Sequence, residues 1–175
     1  MCGISGAAWT ETGRAISFEL LGQMTDALVH RGPDDAGHYY REGTPAVDDP
    51  GVGLGFRRLS IIDLETGQQP VGNEDGSVQV VLNGEIYNYR SLREELQARG
   101  HQFRSQGDAE VIVHLYEEEG EDCFSRLNGM FAIAIWDDNQ KKMILARDRL
   151  GQKPLFYIQQ PGRLMFASEL KSLLA

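Results

Sequence analysis

Residues 130–136 read Met-Phe-Ala-Ile-Ala-Ile-Trp, apolar at every position. A strand with one wet face alternates apolar and polar, so a strand without alternation needs cover on both faces. A second stretch adds to the constraint. In Gly51-Val52-Gly53-Leu54-Gly55-Phe56 the residues Val52, Leu54 and Phe56 share one face and three glycines share the other. A bare glycine face lets another element or a ligand approach the backbone closely. The stretch is too irregular for a dinucleotide fingerprint, which needs a helix opening on G-x-G-x-x-G. Two stacked, mainly antiparallel sheets with helix layers outside satisfy both segments, which makes the expected class α+β.

The remaining pattern fits around that pair. Ile4 to Trp9 reads as a small, apolar first strand, and Gly37 to Arg41 as another. Ser17 is placed to cap a helix with Leu20, Leu21, Met24 and Leu28 on its apolar face, ending at the breaker cluster His30-Arg31-Gly32-Pro33-Asp34. Residues 44–51 and 67–76 read as loop and turn. Val78 to Leu82 reads as a strand closed by Asn83-Gly84-Glu85. Ser91-Leu92-Arg93-Glu94 has the form of a capping box, opening a helix that turns Leu92 and Leu96 inward and stops at Gly100. Asp108 is placed to cap the next helix, with Val111, Ile112, Leu115 and Tyr116 inward and Gly120 as terminator. A short helix through Phe124 and Leu127 follows. Met143 to Ala146 pairs back on residues 130–136, and Leu155–Ile158 with Leu164–Ala167 forms a hairpin about residues 159–162. Ser168 is placed to cap a last helix bearing Leu170, Leu173 and Leu174. Its apolar stripe has no following partner, so a fragment of a longer protein is expected.

Composition removes several classes of function. The 175 residues suit one domain, 1–175, and the net charge of −9 argues against nucleic acid and anionic membranes as partners. The chain has no apolar run long enough to span a bilayer. Cys2 and Cys123 are the two cysteines, too few for a disulfide framework, and with the four histidines they show no metal-ligand spacing. No bound metal is expected, and the expected setting is the reducing cytoplasm.

The residues suited to chemistry begin at the amino end. Removal of Met1 would leave Cys2 with a thiol and a free α-amine, a nucleophile and a base within covalent reach. An early cysteine taken alone is usually just a small hydrophobe. Asn83-Gly84 offers a side-chain amide and a backbone N–H to an oxyanion, or else a hairpin turn. Arg58 is suited to a carboxylate, or to the surface. Asp108 can accept from an ammonium, or simply cap its helix. Arg31 can brace the site or cap the preceding helix. Cys123 reads as a structural thiol, and no histidine has the spacing of a triad.

Five segments in order then carry a resemblance: Met1-Cys2-Gly3-Ile4, His30 to Asp34, Arg58-Leu59-Ser60-Ile61, Asn83 to Asn88, and Arg147-Asp148-Arg149-Leu150-Gly151. Together they resemble the class II glutamine amidotransferase domain, an N-terminal-nucleophile hydrolase, and most nearly the glutaminase half of glutamine-hydrolysing asparagine synthetases and related bacterial amidotransferases. The resemblance implies a four-layer αββα fold. It implies that Cys2 attacks the side-chain amide of glutamine and that its α-amine shuttles the proton. It implies that Asn83 and Gly84 form the oxyanion hole, that Arg58 holds the substrate carboxylate and that Asp108 holds its ammonium. Glu85, with main-chain groups near Leu59 and Ile61, completes the implied pocket. No cofactor is implied for this domain. ATP and Mg are implied only for a synthetase domain, whose Ser-Gly-Gly-x-Asp loop is not in this sequence. The implied partners are glutamine, a C-terminal or separate synthetase domain, and a second copy of the chain in a homodimer. The alternatives are a related amidotransferase with a different acceptor and a non-catalytic docking domain.

Overall fold

The structure is a computed structural model that describes residues 2–44, 49–60 and 66–175. Its strands form two antiparallel sheets. The first has five strands in the order β2 (Asp35–Arg41), β3 (Gly51–Arg58), β1 (Gly3–Trp9), β9 (Arg163–Ala167) and β8 (Phe156–Gln160). The second has four, in the order β4 (Val71–Gly72), β5 (Val78–Ile86), β6 (Gly129–Asp137) and β7 (Lys142–Arg147). The sheets meet through Ile4, Val52, Leu54, Phe56 and Phe166 on one side and Val81, Ala132, Ala134 and Trp136 on the other.

The alternate residues of β6 point the opposite way. Phe131, Ile133 and Ile135 pack with Val80 and Leu82 of β5 beneath three helices, α2 (Tyr89–Ala98), α3 (Ala109–Glu119) and α4 (Cys123–Arg126). This is why the strand lacks alternation: one face fills the inter-sheet core and the other the helix–sheet core. The glycine face of β3 lies under α1 (Phe18–Asp26). A Cβ at Gly55 would run into Thr25 Oγ1, and one at Gly53 would press on Leu21. The layer is completed by α5 (Leu170–Leu173), which shares with α1 a core of Ala7, Trp9, Leu21, Met24, Ala167 and Leu173. The fold is therefore αββα in four layers.

Several local readings change in the folded chain. The first helix ends at Asp26 rather than near His30, and the backbone continues in three-residue turns, Leu28 N–H to Thr25 and Val29 N–H to Asp26. The Asn83-Gly84 segment does not turn. It continues β5, with Asn83 opposite Ala132 and Gly84 opposite Phe131, because β6 supplies a full-length partner. A side chain at position 84 would strike the Met130 carbonyl. The second helix starts at Tyr89, and Ser91 donates to the Asn88 carbonyl, so there is no capping box. Asp108 and Ser168 make no cap hydrogen bond. Each instead reaches across the fold, Asp108 to the Ile86 N–H and Ser168 to the Ile4 N–H. Of the last apolar stripe only Leu173 is buried, while Leu170 and Leu174 are exposed. The cap at Ser17 and the glycine terminators Gly100 and Gly120 stand as read.

Candidate active site

Cys2 lies at the free end of β1. Gly3 pairs with Arg57, so the residue before it sits beside Arg58 and Leu59 where β3 ends. The Leu59 N–H donates to Cys2 Sγ at 3.4 Å, and the thiol faces the Leu59 carbonyl at 3.7 Å. Arg31 Nε donates to the Cys2 carbonyl at 3.0 Å while its Nη1 meets Glu169 Oε1 at 2.9 Å. Arg31 thus braces the chain end. The same breaker cluster contributes Asp34, whose Oδ2 accepts the Ser60 N–H at 2.7 Å. One loop therefore fixes both strands that frame the thiol.

A cleft opens in front of it, about 480 Å³ of space with its mouth included. The first sheet lends Cys2, Phe56, Arg58 and Leu59 to its wall; the second lends Leu82, Gly84 and Glu85; the approach to α3 lends Ser105, Gly107 and Asp108. Of the residues singled out in the sequence, six therefore line one cleft: Cys2, Arg58, Leu59, Gly84, Glu85 and Asp108. Asn83 is not among the lining residues, although its neighbours Leu82 and Gly84 are. Ile61 lies outside the described residues. Cys123 is fully buried under the second sheet, and its thiol is pushed up to about 12 by burial and the acidic residues near it.

The electrostatics of the cleft have a direction. Burial raises the Cys2 thiol above its ordinary 9.0; the Leu59 hydrogen bond and the positive chain terminus pull it down, and Glu85 and Asp108 push it up again. Burial also raises Asp108, against the pull of the Ile86 N–H. Burial and the neighbouring Asp108 raise Glu85, opposed by Lys153. Carboxyls raised by burial, and in Glu85 also by the Asp108 charge, would be relieved by a cationic group between them. Arg58, 5% exposed, brings a fixed positive charge to the same wall. Asn83 is 1% exposed, and neither its Nδ2 nor its Oδ1 has a hydrogen-bond partner among the described residues. A buried amide without partners marks a group that something else completes.

A model of the glutamine amidotransferase domain matches residues 1–175. The chain belongs to the class II glutamine amidotransferase domain family. The domain is 49% identical over 175 residues to asparagine synthetase [glutamine-hydrolyzing] 2 of Bacillus subtilis, covering 99% of this chain and 22% of that protein. It is 40% identical over 187 residues to amidase chyE of Penicillium rubens, with 100% and 26% covered. The chain spans about a quarter of the length of the curated relatives it matches. Among solved structures, glutamine phosphoribosylpyrophosphate amidotransferase from Bacillus subtilis superposes with a TM-score of 0.75 at 22% identity, over 98% of this chain and 43% of that one, a likeness of fold.

Two features of the domain were not legible from local sequence. Asp148 gathers the N–H groups of Phe131, Leu150, Gln152 and Lys153 at 2.9–3.2 Å. It thereby folds the Arg147–Gly151 motif back toward the buried Lys153, the cation that acts on Glu85. The cluster Glu74, His101, His114 and Glu117 is the second, and only its His114/Glu117 pair is close in sequence.

Proposed function

We propose that the domain hydrolyses glutamine to glutamate and ammonia through a glutamyl thioester on Cys2. Met1 is first removed. The freed α-amine takes the thiol proton as sulfur attacks the side-chain carbonyl carbon of glutamine. The carbonyl electrons move onto oxygen, and the oxyanion is met by the Asn83 amide and the Gly84 N–H. The C–N bond breaks as the α-ammonium returns the proton to nitrogen, releasing ammonia and leaving the thioester. Water, with the same amine as base, then releases glutamate. Arg58 holds the α-carboxylate of the substrate in two parallel hydrogen bonds. Asp108 holds the α-ammonium, and Glu85 with Leu59 completes the pocket. The single observation that carries the reading is the cleft itself, a thiol flanked by one buried guanidinium and a pair of proton-favouring carboxyls, which is complementary to a zwitterion.

The ammonia is used by a synthetase domain, joined to this one or separate, for an asparagine-synthetase-type amide transfer. ATP and Mg act there and not at residues 1–175. A second reading, an amidase acting on another amide, draws support from the 40% identical amidase of Penicillium rubens. The test is intact mass after incubation with a diazo ketone analogue of glutamine, beside ammonia release from glutamine and from simple primary amides. One adduct on a chain lacking Met1, absent in Cys2→Ala, and strong preference for glutamine are expected. Retained turnover in Cys2→Ala overturns the nucleophile, and equal turnover of simple amides favours the amidase.

A further inference from the structure

Beside α3, among residues that do not line the cleft, four side chains from three separate segments converge. Glu74 comes from the turn after β4, His101 from the segment after α2, and His114 and Glu117 from α3 itself. Their ligand atoms all lie within 4.8 Å of one another. His101 Nδ1 and His114 Nδ1 face each other at 3.1 Å. His114 Nδ1 is 3.2 Å from Glu117 Oε2 and 3.5 Å from Glu74 Oε2. His101 Nδ1 is 3.8 Å from Glu117 Oε2. A tetrahedral ion with bonds of about 2.0–2.2 Å to nitrogen and oxygen sets its ligands roughly 3.3–3.6 Å apart, the middle of this range.

The outer contacts point the same way. His101 Nε2 lies 3.0 Å from Glu118 Oε1, a carboxylate that can only accept. The ε nitrogen therefore carries the proton, and in the neutral ring the lone pair of Nδ1 is directed inward. His114 is 1% exposed, and its Nε2, 3.8 Å from Glu110 Oε1, makes no hydrogen bond among the described residues. The two ligand carboxylates are themselves oriented, Glu117 Oε1 by the Asn73 amide at 2.8 Å and Glu74 Oε1 by the Gln102 N–H at 3.0 Å. Two imidazole lone pairs and two carboxylates give a neutral site around a dication. Glu74 and Glu117, 40% and 28% exposed, leave a path from solvent.

We infer that Glu74, His101, His114 and Glu117 form a binding site for one divalent transition-metal ion, with zinc the best match in ligand type and geometry. The bound ion ties the turn after β4 and the segment after α2 to α3. That segment runs on through Ser105 and Gly107 to Asp108, so the metal fastens one wall of the cleft from behind. His114 stands six residues beyond Asp108, about 9 Å along the helix axis.

The test uses the 175-residue chain with Cys2→Ser, which removes the accessible thiol as a competing ligand. After stripping with a chelator, it is titrated with zinc chloride by calorimetry and with cobalt(II) by visible absorption, and its Tm is measured with and without zinc. Saturable one-to-one binding, tetrahedral cobalt bands and a higher Tm with zinc are expected. Glu117→Gln, nearly isosteric and partly exposed, and His101→Ala each lower zinc affinity by roughly 100-fold, and Glu118→Gln by about tenfold through His101. Circular dichroism confirms that each variant is folded. No saturable binding, or affinity unchanged in both Glu117→Gln and His101→Ala, overturns the site.

Discussion

Asn83→Ala separates the function of a buried amide from its structural cost. The side chain is 1% exposed, and both of its polar atoms lack a partner among the described residues. Leaving a buried polar atom unpaired costs about 1–3 kcal/mol, so the pair sets a penalty of roughly 2–6 kcal/mol on the resting fold. Truncation removes that penalty and forfeits packing of only the amide atoms, on the order of 1–2 kcal/mol. The balance lies between about 0 and 5 kcal/mol in favour of the variant, and in a chain of this size each kcal/mol raises Tm by about 2–4 °C. The same substitution deletes one oxyanion donor and is expected to lower kcat by about 10²–10³. Thermal unfolding followed by circular dichroism gives the first number, and ammonia release under saturating glutamine the second. A structural asparagine behaves in the opposite way: Tm falls and kcat holds. That outcome refutes the reasoning, and a change confined to KM reassigns Asn83 to substrate binding.

Arg58→Ala is expected to raise KM for glutamine far more than it lowers kcat, because the guanidinium grips a group remote from the reacting carbon; steady-state kinetics with unaltered KM removes Arg58 from the pocket. Acid should loosen the brace behind Cys2. Partial burial of Glu169 acts to raise its carboxyl, yet hydrogen bonds from Arg31 and His30 hold it down at about 2 against an ordinary 4.5. A lowered carboxyl stabilises the fold fully above about pH 4.5, and that contribution is lost as pH falls toward 2. With the side chain 27% exposed, solvent screening limits the effect to about 1 kcal/mol. Urea unfolding at pH 6 and pH 3 should therefore show a smaller pH-dependent loss in Glu169→Gln than in the parent chain, and equal losses remove Glu169 from the brace.

The layered fold was open to reading because its causes are short in range. A strand apolar at every position, such as β6, states that both its faces are covered. The glycine face of β3 states that something presses on it, here α1. The terminators Gly100 and Gly120 act within one turn of their helices and read correctly for the same reason. Cys2, Arg58 and Asp108 were legible as candidates because their residue types already suit the chemistry, whereas Glu85 came only with the family resemblance.

Direction and partnership are another matter. Asn83-Gly84 is a hairpin signal by itself, and only a partner strand some 45 residues downstream, at 129–137, keeps it extended. Asp108 and Ser168 have the composition of caps, yet both serve backbone N–H groups far along the chain, at Ile86 and Ile4. Arg31 finds Glu169 across 138 residues, and Glu74 meets His101 and His114 only after β4, α2 and α3 have packed. The sequence by itself determined most of the strands and helices and the covered faces of β3 and β6, because backbone periodicity acts over a few residues. The tertiary structure alone decided which polar groups meet, because a buried donor or acceptor takes whichever partner the packing of distant segments brings within about 3 Å.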